Sequence, residues 1–97
     1  MYTWTDEKNR INKEKHGFYL SDIISVFNDP NSIEYFDSKH SSLEDERYIF
    51  IGRFSENVIL YVSFQDKGND VTHLISAREA APPEEKLYEK YFNRRNS

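Results

Sequence analysis

Residues 47–64 read RYIFIGRFSENVILYVSF, and this stretch decides the fold. Two runs rich in β-branched and aromatic residues, Arg47–Phe54 and Val58–Phe64, are separated only by the polar residues 55–57. Such runs favour strands, and a joint this short favours a hairpin. The second run is apolar on both of its faces, which carry Val58, Leu60, Val62 and Phe64 on one side and Ile59 and Tyr61 on the other. It is therefore predicted to be a central strand that is covered on both sides.

One further strand is predicted on each side of this hairpin. Their apolar residues favour a strand from Ile33 to Asp37 and another from Val71 to Ala77. Residues 66–70 contain a glycine and are short enough for a second hairpin, whereas residues 38–45 form a longer connection. The pattern predicts an antiparallel meander of four strands.

Two helices are predicted ahead of the strands. Thr5 can cap the first helix, which has two acidic residues in its positive first turn and ends at Gly17. Ser21 can cap a second, short helix with apolar residues facing inward, and residues 29–31 end it.

A third helix is predicted after the strands. Pro82 and Pro83 cannot continue a strand and favour the first turn of a helix, whose apolar stripe comprises Leu87, Tyr88, Tyr91 and Phe92. Residues 93–97 are polar and basic, and we expect them to fray.

These elements predict an α+β fold in the order ααββββα. With 97 residues, of which 37% are hydrophobic, the chain can build one core, and residues 1–97 are expected to form a single domain. We expect the helices to pack on one face of the antiparallel sheet, with a groove on the other face or at its rim.

Composition excludes several classes of chemistry. The chain has no cysteine, which rules out disulfides, thiolate catalysis and cysteine-based zinc sites and fits a reducing compartment. The N-terminal residues lack the basic and then apolar build of a signal peptide, and the longest run of aliphatic and aromatic residues, Val58 to Val62, is too short to span a bilayer. We therefore expect a cytoplasmic protein.

The charge of the chain is unevenly distributed. Residues 21–46 carry seven acidic side chains against the single Lys39, a local net charge of −6. Because the whole chain has a formal net charge of −4, the remaining residues carry +2. A surface that binds polyanions can thus exist on an acidic protein, although a mixed, solvated surface has the same totals.

Several cationic or amide side chains occur at spacings that bring them together. Helical spacing places Lys8, Asn12, Lys15 and His16 on one stripe of the first helix, next to the stripe that anchors it to the core. Alternation places Arg47 and Arg53 on one face of their strand, and Arg78 ends the last strand.

Each of these side chains also has a structural interpretation. His16 can satisfy carbonyls at the end of the helix, and the two lysines can simply face solvent. Arg47 can pair with a neighbouring acid, and Arg78 can anchor the last helix.

Two further groups of residues carry open alternatives. The tyrosines of the strands can stack on bases or belong to the core; they are Tyr35, Tyr48 and Tyr61. His40 with nearby acids imitates a metal site, but the spacing of Asp37, Glu44 and Glu46 matches no known ligand pattern.

Motifs at both ends of the chain resemble the BrnT family. They include Trp4-Thr5-Asp6, Lys15-His16-Gly17, Glu46-Arg47-Tyr48 and Ile75-Ser76-Ala77-Arg78, over roughly residues 2 to 91. The resemblance implies a RelE-like ribonuclease fold and the toxin of a type II toxin–antitoxin pair. It also implies an antitoxin partner with a ribbon-helix-helix DNA-binding domain, so that the toxin meets DNA only through the antitoxin. The chain departs from the family pattern at His73 and Glu79, where basic residues are common.

The resemblance gives the cationic residues a chemistry. Cleavage of RNA without a metal needs a base for the ribose 2′-hydroxyl, cations for the charged phosphorane and a proton for the leaving oxygen. On this basis the predicted catalytic residues are His16, Arg47 and Arg78. The predicted RNA- and phosphate-binding residues are Lys8, Asn12, Lys15, Arg53 and His73. No cofactor or metal is expected.

Two other functions are compatible with the sequence. One is a non-catalytic RelE-like subunit that binds an antitoxin and acts as co-repressor of its operon. The other is a small nucleic-acid-binding module, which the absence of a continuous basic patch disfavours.

Overall fold

The computed structural model describes residues 1–96, which form five strands, two α-helices and two 3₁₀ helices. In chain order these elements are β1 (Tyr2–Thr3), α1 (Asp6–His16), η1 (Leu20–Asp22), η2 (Ile24–Asn28), β2 (Ile33–Phe36), β3 (Tyr48–Ser55), β4 (Val58–Asp66), β5 (Thr72–Glu79) and α2 (Pro82–Asn96).

The strands form one sheet in the order β1-β5-β4-β3-β2. The antiparallel meander from β2 to β5 and the central position of β4 are confirmed. The sheet is nevertheless mixed, because β1 pairs in parallel with β5, Tyr2 opposite Thr72 and Thr3 opposite His73. The sequence does not predict β1, since two residues are too few to show an alternating pattern.

The first helix follows its sequence signals. The Thr5 hydroxyl accepts a hydrogen bond from the Lys8 amide at 3.1 Å, and Gly17 ends the helix at a φ of 84°. Helices commonly end at a residue in this left-handed conformation, and glycine adopts it without steric strain.

The second predicted helix is replaced by the two 3₁₀ helices η1 and η2. Ser21 lies inside η1 and is not its cap; its amide donates instead to the Asn9 side chain at 3.2 Å. These short turns hold Leu20, Ile23 and Val26 fully buried against the sheet.

Helices pack on both faces of the sheet, so the prediction that they share one face is wrong. Alternate residues of the central strands face η1 and η2, with Phe50, Leu60 and Val62 in that core. The opposite residues Ile49 and Ile51 pack against Tyr88 of α2. The physical reason is that β4 is apolar on both sides and needs cover on both.

The third helix extends further than its sequence suggests. Residues 93–96, which are predicted to fray, continue α2. Arg95 donates to the Ser32 carbonyl at 2.9 Å, and the Asn96 side chain donates to that of Asn31 at 3.0 Å. Ser97 lies outside the described residues. Within residues 1–96, no helix has the length and apolar character needed to cross a membrane.

A bulge in β5 positions the candidate site. Ser76 lies opposite Ser63, but Leu74 lies opposite Phe64, which leaves Ile75 as an extra residue. A bulge re-aims the side chains that follow it. Arg78 is thereby paired with Tyr61 of β4, on the face of the sheet that α2 covers.

Candidate active site

An open pocket of about 270 Å³ lies on this face, next to the cluster that packs against α2, with which it shares Ile49 and Tyr61. It is lined by Asp37, His40, Arg47, Ile49, Tyr61, Ser63, Ile75, Ser76 and Arg78. The structure thus brings together Arg47 and Arg78, which are distant in sequence and are both predicted to be catalytic. Arg47 directly precedes β3, and Arg78 lies near the end of β5.

Arg78 is held by both a carboxylate and an aromatic ring. Its two terminal nitrogens donate to the carboxylate oxygens of Glu84 at 2.8 and 2.9 Å, and its guanidinium lies 4.1 Å from the centre of the Tyr61 ring. The Glu84 hydrogen bonds raise the pKa of Arg78 despite its partial burial, and in return they lower the pKa of Glu84. The interpretation that Arg78 anchors the last helix is therefore confirmed, and the same guanidinium lines the pocket.

Arg47 is likewise bound to an acid. Its Nη2 atom lies 3.0 Å from the Asp45 carboxylate, and its Nε also donates to that carboxylate at 3.3 Å. The predicted ion pair with a neighbouring acid is thus present. The side chain remains about one third exposed, so its guanidinium stays accessible at the pocket.

Tyr61 forms the floor beneath Arg78. Burial and the neighbouring Tyr35 hydroxyl raise the pKa of Tyr61 to about 12. Its hydroxyl therefore remains protonated at neutral pH and is a donor there. Of the other tyrosines that could stack on bases, Tyr48 belongs to the core on the opposite face, where its ring stacks on Phe64.

Asp37 and His40 form a hydrogen-bonded pair at the rim of the pocket. The Asp37 Oδ2 atom lies 2.9 Å from His40 Nδ1, and Asp37 Oδ1 accepts the amides of Lys39 and His40. The carboxylate is nearly covered, whereas the imidazole is 67% exposed. The sequence analysis considers these two residues only as part of a group that resembles a metal site. The sequence signal that could identify the pair is its spacing of three residues.

A second, smaller groove adjoins the pocket across β5. It has a volume of about 120 Å³ and is lined by Lys8, Ile11, Asn12, Lys15, His16, Ile75 and Ser76. The two concavities share Ile75 and Ser76, the residues at the bulge. The predicted cluster on α1 therefore exists, but His16 lines this groove and not the pocket that holds both arginines.

Asn12 lies in this cluster, but its side-chain amide is already hydrogen-bonded to backbone groups of the protein. Its Oδ1 accepts the Ala77 amide at 2.9 Å, and its Nδ2 donates to the carbonyls of Ala77 and Phe18, each at 2.8 Å. The residue is 3% exposed. The prediction that Asn12 binds RNA is replaced by a structural role, the attachment of α1 to the free edge of β5.

Arg53 lies on the predicted strand face but not at the pocket. Its side chain donates to the Glu56 carbonyl at 2.7 Å and lies 5.6 Å from the centre of the Tyr88 ring. Its amide donates to Asp29, whose half-buried carboxylate also accepts the Tyr88 hydroxyl at 2.6 Å. Burial alone acts to raise the pKa of Asp29, but these hydrogen bonds outweigh it and lower that pKa. Arg53 thus helps to attach α2 to the sheet.

His73 is also placed away from both concavities. Its Nδ1 lies 2.8 Å from the Thr3 hydroxyl, at the point where β1 pairs with β5. The ring secures the short first strand, and it lines neither the pocket nor the adjoining groove.

Metal ligands do not converge in the described residues. Across residues 1–96, no group of three or more histidine, aspartate or glutamate side chains is arranged to hold a metal ion. Asp37 and His40 lie together, but Glu44 and Glu46 face a different concavity of the surface.

Comparisons with known proteins agree with this architecture. A comparison with curated proteins gives no significant match. The crystal structure of the Brucella abortus ribonuclease toxin BrnT superposes with a TM-score of 0.65 at 25% sequence identity, over 84% of this chain and 97% of that one. Residues 4–84 match the model of the family described as the ribonuclease toxin, BrnT, of type II toxin–antitoxin systems. Since that match spans most of the chain, from the start of α1 to the first turn of α2, the protein belongs to the BrnT family of ribonuclease toxins.

Proposed function

We propose that this chain is a RelE-like endoribonuclease toxin that cleaves RNA without a metal ion and is held inactive by a cognate antitoxin. The observation that carries the proposal is the convergence of Arg47 and Arg78 on one open pocket. Two guanidinium groups from separate parts of the chain can contact a phosphodiester from two sides. They can then stabilise the charge that develops when the ribose 2′-oxygen attacks phosphorus.

The adjoining groove supports a path for the RNA backbone. Lys8 and Lys15 line it, and it meets the pocket at Ile75 and Ser76. Lysine ammonium groups attract phosphates as point charges without reading sequence. We propose that the phosphates flanking the scissile bond lie along this groove, within reach of His16. A role for His16 in proton transfer stays a prediction, because His16 does not line the pocket that holds the arginines.

The partner follows from the type of system. A type II toxin is neutralised by a protein, and we propose an antitoxin with a ribbon-helix-helix domain that covers the pocket and carries the complex to operator DNA. The proposed location of both proteins is the cytoplasm, where the RNA substrate is found.

A second candidate function is a non-catalytic subunit that binds the antitoxin and acts as co-repressor. It is favoured by the two acids that already engage the pocket arginines, Asp45 on Arg47 and Glu84 on Arg78. Such pairs lower the positive potential available to RNA. Glu79 next to Arg78 acts in the same direction.

Two assays separate the candidates. The purified protein is incubated with a defined RNA, either free in buffer with EDTA or on translating ribosomes in buffer with Mg²⁺, and the chain is also expressed with and without its antitoxin. We expect cleavage in EDTA and growth arrest that the antitoxin relieves. Intact RNA and normal growth with verified soluble protein would instead support the co-repressor.

A further inference from the structure

We propose that His40 is the proton-transfer residue of this site and that Asp37 is its positioning residue. The inference deepens the proposed ribonuclease function and rests on it. The sequence favours His16 for this role, but His40 is the histidine that shares the pocket with Arg47 and Arg78.

The Asp37 carboxylate fixes the orientation of the imidazole. A carboxylate oxygen can only accept, so its 2.9 Å contact with Nδ1 places the proton on Nδ1. The neutral ring then presents Nε2 as an acceptor. Asp37 itself is held in place because its other oxygen accepts the amides of Lys39 and His40.

The two side chains of the pair differ in solvent exposure, in the way that their proposed roles require. Asp37 is a covered side chain, 10% exposed, whereas the imidazole is 67% exposed. A proton-transfer group has to reach a substrate atom, and a positioning group does not. This asymmetry differs from that of an ordinary surface ion pair, in which both partners are exposed.

The other groups that face the pocket are poor bases or are already paired. They are Arg47 with Asp45 at the start of β3, Tyr61 of β4 with the neighbouring Tyr35 of β2, and Arg78 of β5 with Glu84 of α2. Guanidinium groups do not lose a proton in proteins, and Tyr61 has a pKa of about 12. Histidine is the side chain that ordinarily exchanges a proton near neutral pH.

The proposed step balances without any co-reactant. The Nε2 atom of neutral His40 accepts the proton of the ribose 2′-hydroxyl as the 2′-oxygen forms a bond to phosphorus. The bond from phosphorus to the 5′-oxygen breaks, and the leaving oxygen takes a proton from water. The resulting hydroxide and the proton on His40 recombine, which leaves a 2′,3′-cyclic phosphate and a 5′-hydroxyl end.

The test compares two histidine variants and one aspartate variant across pH 5 to 9. H40Q is expected to lower kcat by about a hundredfold or more and to remove the limb of the kcat/KM profile on the acidic side of neutrality. H16Q tests the alternative assignment: a limb lost in H16Q and kept in H40Q would assign the proton transfer to His16 and overturn the proposal. Affinity for a fully 2′-O-methylated RNA, which cannot react, is expected to change less than about twofold in H40Q.

D37N tests the positioning role. The asparagine oxygen can still accept the two loop amides, but its amide group donates to Nδ1 and thereby places the ring proton on Nε2. We expect kcat to fall about as far as in H40Q while KM and the melting temperature stay near those of the parent.

The outcomes distinguish this inference from the function on which it rests. If the parent cleaves RNA and H40Q or D37N retains its rate and pH profile, the proposed roles of His40 and Asp37 are wrong while the ribonuclease function stands. If the parent fails to cleave free RNA and ribosome-bound RNA alike, both proposals fall together.

Discussion

The side chain of Asn12 pairs with the backbone of Ala77 as a neighbouring strand would. It accepts the Ala77 amide at 2.9 Å and donates to the Ala77 carbonyl at 2.8 Å, in the stretch of β5 that β1 does not reach. A helix side chain thus satisfies the free edge of the sheet next to the bulge, and it holds α1 beside the candidate site.

Replacing Asn12 is therefore expected to destabilise the protein strongly. N12A leaves the amide and carbonyl of Ala77 and the carbonyl of Phe18 without this partner, and unsatisfied buried groups cost about 1–3 kcal/mol each. We expect the free energy of unfolding in urea to fall by about 3 kcal/mol. N9A on the same helix is the control, expected to cost about 1 kcal/mol; equal losses in the two variants would contradict the special role of Asn12.

The pocket arginines are expected to dominate cleavage. R78A and R47A should each lower kcat/KM at least about a hundredfold, because removal of one preorganised donor costs on the order of 3 kcal/mol of transition-state stabilisation. R78K should recover part of the loss, since an ammonium lacks the two-pronged geometry of guanidinium.

The same assay needs a control for loss of folding. R10A removes an exposed arginine whose partner is Glu14 on the same helix, and it should cleave at the parental rate. Thermal melts of every variant belong beside the rates. Activity that falls only in proportion to the folded fraction would show that Arg47 and Arg78 are structural.

The Arg78–Glu84 pair predicts how stability depends on pH. Because the hydrogen bonds from Arg78 lower the pKa of Glu84 below its ordinary 4.5, the folded state favours the ionised form. This contribution is fully present above pH 4.5, the ordinary glutamate pKa, and is lost as pH falls through the lower pKa of the folded state. Melting temperatures between pH 7 and pH 3 should therefore fall less steeply in E84Q than in the parent.

Asp29 has a lowered pKa as well and contributes to the same acid limb, so E84Q should reduce the slope without abolishing it. E14Q, which alters an exposed pair on α1, is the matched control and should follow the parental curve. A parental slope in E84Q would show that this ion pair adds nothing to stability.

Gly52 is expected to tolerate no side chain. A Cβ atom there would lie 2.7 Å from the Phe50 ring, 3.1 Å from a Val26 methyl and 3.2 Å from the Val26 carbonyl, because η2 packs directly on this part of β3. G52A should destabilise the protein by about 1–3 kcal/mol, the usual cost of overpacking. S55A at the exposed end of the strand is the control; equal unfolding midpoints would mean that the core yields easily at Gly52.

Sequence patterns predict the elements that are long enough to show a period. The hairpin around residues 55–57 and the cap at Thr5 are local signals, and both appear as expected. The strand β1 has only two residues, too few to show an alternating pattern of apolar and polar side chains. The placement of α2 was predictable in principle, because Ile59 and Tyr61 make the second face of β4 apolar.

The candidate site was predictable only in part, since it depends on register. Arg47 and Arg78 are recognisable as cations, but their shared pocket depends on the bulge at Ile75 and on the pairing of Tyr61 with Arg78. Asn12 has the same helical spacing as the lysines, and spacing alone cannot reveal that a sheet edge covers it. Asp37 and His40 lie between strands, where no periodic pattern indicates how side chains are directed.

Under the proposed function, the Glu84 carboxylate on Arg78 makes phosphate binding at this pocket an exchange rather than a simple addition. An RNA phosphate that uses the same two nitrogens has to displace Glu84, so its binding free energy is the difference between two ion pairs. A phosphodiester with one negative charge gains little from that exchange, whereas the phosphorane of the transition state carries additional charge and gains more. Glu84, which secures α2, would thereby weaken the binding of intact RNA to Arg78 more than the binding of the transition state.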